Sequence, residues 1–169
     1  MSSKSSTPAD GSVRTDAVIT LTTPATPKVT ELTAGTAKAL SEYITAGGFS
    51  IQVTQASIQD ERESDTFVAE QAGRTSVSGG TITVIDNTGT TLSATVNDAV
   101  TVLVPGTTVW LVRRYGLVFS AAWAVGQTVD VFKCIVGKKQ RAATEANSVL
   151  RSTYALFVQD FYQDVVTVA

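Results

Sequence analysis

From Phe49 onward the chain is a succession of short runs in which β-branched and aromatic residues alternate with polar ones, separated by turn residues. Phe49, Ile51 and Val53 alternate with Ser50, Gln52 and Thr54, the two-residue period of a strand with one face buried, which predicts a strand over Phe49–Ile58. Thr75–Val77 and Thr81–Asp86 follow as two strands joined by a Gly79-Gly80 turn. Thr107–Tyr115, Leu117–Phe119, Val129–Val136, Val149–Val158 and Asp164–Val168 complete the set, with Gly137-Lys138-Lys139 ending the Val129 strand. A second period occurs between Leu92 and Leu103, where Leu92, Val96, Ala99, Val100 and Leu103 fall on one helical face. A short helix is expected there, with Ser93 as its cap and Pro105-Gly106 as its stop, although Val100–Val104 is β-branched enough to begin a strand. Between Val29 and Gly48 both periods compete: Ala37, Leu40 and Ile44 fit a helical stripe, while Tyr43-Ile44-Thr45 before Gly47-Gly48 fits a strand end.

Residues 1–28 lack this patterning. They are rich in Ser, Thr, Ala and Pro and contain no aromatic residue, so they offer little apolar surface to offset ordering entropy. Two readings stand side by side: a tail without fixed structure, or an arm that orders against a neighbouring subunit with Val18-Ile19-Thr20-Leu21 as a short strand. The expected organisation is a flexible arm over 1–28 and one β domain over 29–169. The apolar, β-prone ending Val165–Ala169 is expected to be stitched into a sheet.

Composition narrows the chemistry. The chain has 169 residues with a formal net charge of −2, and its pI is about 5.1, the opposite of the basic face that sequence-independent DNA binding requires. Histidine is absent and Cys134 is the single cysteine, which excludes an internal disulfide, a Cys/His zinc site and the nucleophile–histidine couples of hydrolases. Cys134 lies in the apolar run Val131–Val136 and is expected to pack as a small core residue. No apolar run is long enough to span a bilayer and Met1–Ser6 carries no apolar secretory core, so cytoplasmic synthesis without membrane insertion is expected.

The segment Asp60-Glu61-Arg62-Glu63-Ser64-Asp65 concentrates four carboxylates. Paired carboxylates serve glycosidases as acid and base, and oxygen clusters hold calcium, but the alternating ligand pattern with a central glycine is missing. An exposed loop that contacts a neighbouring copy is the expectation for Asp60, Glu61, Arg62, Glu63 and Asp65. Arg113-Arg114 and Lys138-Lys139 with Arg141 form two basic clusters that lack aromatic stacking platforms apart from Tyr115. They are expected to pair with that acidic loop on a neighbour, with Val166 and Val168 contributing a terminal strand contact. Trp110 and Trp123 could form a sugar platform, but Trp110 sits inside an apolar strand and is expected in the core. No catalytic residue, metal site or cofactor is expected.

Several of these segments together resemble a family. Thr101-Val102-Leu103-Val104-Pro105-Gly106-Thr107-Thr108-Val109-Trp110-Leu111-Val112-Arg113-Arg114-Tyr115-Gly116-Leu117 resembles the "TLxPGTxGYLVxRRG" segment of siphophage major tail proteins, especially of actinobacteriophages. Ala121–Val131 is similar to their "xAWAAGxxVDV", and Ala143–Leu150, Leu156–Val158 and Asp164–Ala169 follow in the same order, with Leu32–Thr36 and Thr54–Arg62 upstream. The likeness covers most of 29–169 and departs from the family at Val109, where a smaller residue is usual, and in the long segment before Val29. It implies a tail-tube-type β-sandwich or half-barrel with one short flanking helix and an extended terminal arm. It also implies hexameric rings that close into an inner barrel and stack around a tape-measure protein. Tail terminator and baseplate or tip proteins are the implied partners, DNA passes without binding, and the location is the virion tail. A terminator, a head–tail connector, a capsid decoration protein and a carbohydrate-binding β-sandwich are the alternatives.

Overall fold

The computed structural model describes residues 6–61, 63 and 66–169. Seven strands form one antiparallel sheet: β1 (Val13–Val18), β2 (Lys38–Ala39), β3 (Ile44–Asp60), β4 (Ala69–Ile85), β5 (Thr108–Tyr115), β6 (Thr128–Arg141) and β7 (Arg151–Val166), in the order β2-β1-β5-β6-β7-β4-β3. Two short helices accompany it, α1 (Val29–Leu32) and α2 (Asp98–Val102). The mainly-β class expected from the alternation holds, in the form of a single sheet covered on both faces at its centre.

Alternation along the strands sorts the core into two layers. Ala17, Val109, Leu111, Phe132, Cys134, Val136, Tyr154, Leu156, Ile82 and Val84 point to one face, where Leu40, Leu103 and the α2 residues Ala99 and Val102 close over them. The opposite face gathers Val18, Val112, Val129 and Val131 beneath Leu21, Leu32 of α1 and Trp123. Because β5 and β6 are buried on both sides, their sequences are near-continuous apolar runs. Cys134 is fully buried, as its setting predicts, and burial pushes its thiol up to about 12.

Several expectations are corrected. Within the segment expected to be a flexible arm, Val13–Val18 is part of the sheet: β1 pairs with β5 along its whole length, from Val13 opposite Tyr115 to Val18 opposite Trp110, and Ala17 and Val18 are core residues. Its polar look has a local cause, since Arg14 and Asp16 bond each other at 3.0 Å on one face of the strand. Gly79-Gly80 is not a turn. Gly79, at φ +66°, forms a bulge inside the continuous β4, and a Cβ on Gly80 would lie 2.6 Å from the Leu156 carbonyl oxygen. Gly47-Gly48 likewise sits in a bulge of β3, between the Ile44–Val84 and Phe49–Ile82 pairs. The helix expected from Leu92 contracts to Asp98–Val102, because Asn97 leaves helical angles (φ −151°) and its side chain accepts the Asn87 N–H at 3.1 Å. Leu92 and Val96 are left exposed, and Ser93 caps nothing in this helix. Leu117–Phe119 is loop, Gly137-Lys138-Lys139 continues β6, and the two strands expected after Val149 are one. Among the described residues two helices, not one, flank the sheet, and α1 with β2 resolves the ambiguous stretch after Val29.

The chain end is tied down. Thr167 is buried, donating to the Ala124 carbonyl at 2.7 Å, and Val168 makes a parallel bridge with Lys28. The expected stitching of the ending into the sheet therefore involves the segment just before α1.

Candidate assembly interface

The outer strand β3 and its partner β4 are each 17 residues long, much longer than β5. Beyond Phe49 and Ile51 their residues join neither core cluster, so the two strands run out as a hairpin held by its own ladder from Ser50–Thr81 to Asp60–Ala69. Polar cross-strand contacts reinforce it: the Thr54 and Ser76 hydroxyls lie 2.9 Å apart, and Gln59 donates to Glu70 at 3.5 Å. Its turn carries the acidic segment. Glu61 and Glu63 are exposed there and Asp60 ends the strand, while Arg62 and Asp65 lie outside the described residues. Phe67 and Val68 follow, 80% and 42% exposed.

The basic residues part company. Arg114 is buried, and its guanidinium donates to the carbonyls of Val118 (3.0 Å), Ala121 (3.0 Å) and Ala122 (3.2 Å) and to Gln127 Oε1 (3.0 Å). It also sits 5.0 Å from the Trp123 ring, with Arg14 at 5.1 Å, while Trp123 Nε1 donates to Asp16 at 2.6 Å. Burial lowers the Arg114 pKa, as does Arg14, and Asp16 opposes both. These contacts pin the 116–127 loop to β1 and β5, so Arg114 is removed from the expected subunit contacts. Arg113 points to the other face and stacks 4.2 Å from the Phe49 ring, near Asp130 and Tyr115. Lys139 is also engaged inside the chain: it meets the buried Asp86 carboxylate at 2.6 Å, which Ser152 Oγ bonds at 2.5 Å. Burial alone would raise Asp86, but the hydrogen bonds from Lys139, Ser152 and Thr88 outweigh it and hold the carboxyl well below the usual range. Lys138 alone of this pair is exposed. Val166 is 46% exposed at the end of β7 and pairs with Thr128; Val168 is half-buried.

Lys138 lines an open concavity of about 780 Å³, bounded by Ile135, Gly137, Ala155, Phe157, Thr81 and the Pro105-Gly106 turn. This is the continuation of the second core face, beyond the reach of α1 and Trp123, and Phe157 there is 58% exposed. Neither the concavity nor Phe67 was singled out by the sequence. For Phe67 a signal existed, an aromatic residue alone between Thr66 and the polar run Glu70-Gln71, without alternating apolar neighbours. The tryptophans make no sugar platform, since Trp123 is buried and Trp110 is covered by Lys133 at 5.3 Å. Among the described residues no group of acidic, cysteine or histidine side chains is arranged to hold a metal.

Among the described residues, a broad sheet ends in the 17-residue outer strand β3, and its β3–β4 hairpin projects beyond the core. The model of the phage tail tube protein family matches residues 1–169, and the chain belongs to that family; it is a structural subunit of a phage tail. No curated protein matches the sequence. Among solved structures, the fold is similar to a chain of the six-fold symmetrised baseplate of the anti-feeding prophage, with a TM-score of 0.56 at 12% identity, covering 96% of each chain. At that identity the likeness is one of fold.

Proposed function

We propose that copies of this chain join side by side into rings, hexameric as the family resemblance implies, and that the rings stack into a tube. Support comes from the strand order. The sheet ends in the 17-residue β3 on one side and in the two-residue β2 on the other. A long strand with an unpaired side is an aggregation hazard unless something covers it, and two unlike edges meet head to tail in a rotation that closes without a free end. The six-fold symmetry of the anti-feeding prophage baseplate is consistent with such an arrangement.

The lumen of that tube holds a tape-measure protein during assembly and later passes DNA. A chain with net charge −2 suits a lining that does not retain polyanions. Tail terminator and baseplate or tip proteins are the proposed partners at the tube ends, and assembly takes place in the host cytoplasm. No helix among the described residues is long and apolar enough to cross a membrane. At the contacts between copies, Glu61 and Glu63 face basic groups of a neighbour, of which Lys138 is exposed; Asp60, Arg62 and Asp65 belong to the same proposed contact segment. Arg113, Val166 and Val168 remain proposed contacts of lesser exposure.

Negative-stain microscopy of the purified protein tests the reading. Uniform tubes or stacked rings with a central channel are expected; a monomer at every concentration and salt condition would overturn it.

A further inference from the structure

The hairpin tip and the apolar concavity sit on different parts of the molecule, and Phe67 and Val68 of the tip join neither core cluster. We propose that Phe67 and Val68 of one copy dock into the concavity lined by Ile135, Gly137, Ala155 and Phe157 of a second copy, with Lys138 at its rim facing the carboxylates of Glu61 and Glu63. The proposal rests on the tube reading and identifies the contact by which one copy engages the next.

Four observations support a second copy as the occupant. First, Phe67 is the most exposed large apolar side chain described, at 80%, and Val68 beside it is 42% exposed. An exposed aromatic next to a second apolar residue, both immediately before the first paired residue of β4, is the kind of anchor that dominates interfaces when a pocket receives it. Second, the concavity is wide enough for both side chains and its walls are small or apolar: Gly137 and Ala155 leave the floor open, and Ile135 and Phe157 flank it. A Cβ on Gly137 would lie 2.9 Å from both Ala155 Cβ and a Phe157 ring carbon, so the floor cannot carry a larger residue without moving its walls. Third, the charges match: Glu61 and Glu63 are exposed on the tip, and Lys138 is exposed in the concavity.

Fourth, the tip cannot reach its own concavity. Thr81 of β4 lines the concavity, whereas Val68 immediately precedes Ala69, the first residue of that strand. An extended strand rises about 3.3 Å per residue, which places them roughly 40 Å apart. The paired β3–β4 ladder prevents folding back. A knob and a socket on separate surfaces of one chain make a heterologous contact, which propagates from copy to copy. Equivalent points on two docked copies are then about 40 Å apart, so the repeat along the tube is at most about that length.

Because Cys134 is buried, engineered cysteines can be cross-linked without interference from the native one. In mixtures of Phe67→Cys and Gln140→Cys proteins under assembling conditions, oxidation is expected to give a covalent dimer that neither variant forms alone, Gln140 being an exposed residue lining the concavity. Phe67→Asp, at an exposed position, should leave the circular dichroism spectrum and melting unchanged. It should raise the concentration needed for polymerisation at least about tenfold, the scale of an interface anchor. Ala155→Trp, which fills the concavity from the other side, should act likewise. If the wild-type protein forms tubes while Phe67→Asp polymerises normally and no mixed dimer appears, the docking is wrong and the tube reading stands. If the wild-type protein never polymerises, the tube reading itself fails.

Discussion

Arg114 shows how a cation can serve the interior of a domain without a carboxylate of its own. Three loop carbonyls and one amide oxygen receive its guanidinium, and the Trp123 ring covers it. Replacing it by alanine removes four hydrogen bonds from a charged donor to part-buried loop oxygens and the packing on Trp123, so Arg114→Ala should destabilise the monomer by about 2–3 kcal/mol, measured by urea unfolding. A charge reversal at both Arg113 and Arg114 would therefore report on folding before assembly, whereas Lys138→Glu is the clean surface test. Lys138→Glu should weaken polymerisation several-fold at low salt and leave the urea midpoint unchanged; Glu61→Lys with Glu63→Lys in the same chain should restore part of the loss. Asp86 makes a prediction in pH. Its folded pKa lies below the ordinary carboxylate value of 3.8, so its contribution to stability is present above about pH 4 and is lost as pH falls below it. The urea midpoint of the wild type should drop between pH 5 and pH 3, and that of Asp86→Asn should start lower and change less over the same range. From the sequence alone Arg113-Arg114 looked like one surface cluster. Adjacent strand residues point to opposite faces, and which face is covered depends on loops that are distant in the sequence.

The strands β5 and β6 were legible because burial on both faces imposes continuous apolar runs, and the first half of β3 because one covered face imposes alternation. The elements that escaped had their local signals overridden. β1 hides behind Arg14 and Asp16, whose charges are satisfied on one side of the strand and by Trp123. The glycine pairs signalled positive φ correctly, but the chain uses it to bulge a long strand and not to turn it. Short helices of four and five residues carry too few positions for a helical period to register. Of the candidate interface, the acidic tip was visible as a charged run, whereas the concavity was not, since it is assembled from β4, β6, β7 and the Pro105 turn. The hairpin lends itself to an element-scale prediction. Its distal half contributes nothing to either core cluster. Replacing residues 54–76 by a two-residue turn should thus keep the melting temperature within a few degrees while abolishing polymerisation. At Gly80, by contrast, alanine should destabilise the fold by roughly 1–3 kcal/mol, because its Cβ meets the Leu156 backbone.

At the scale of the molecule, the unlike edges of the sheet and the offset between tip and concavity give two directions of growth, one around a ring and one between rings. The two can be separated, since altering Phe67 or Ala155 should leave rings that do not stack. Net charge −2 adds an expectation for cargo: assembled tubes should not retain double-stranded DNA on a binding column at about 150 mM salt, where counterion release gives an acidic surface no gain.

Cys134 carries a consequence for life outside a cell. A tail is exposed to oxygen and to the thiols of other particles, and a repeating subunit multiplies any reactive sulfur many times over. Here the one sulfhydryl is fully buried in the core, on a strand flanked by β5 and β7, and burial pushes its pKa up to about 12. It is therefore a poor nucleophile for disulfide exchange as long as the sheet is intact. Its modification by an added thiol reagent would keep time with the opening of the central strands, giving each copy a built-in clock for the rate at which the particle ages.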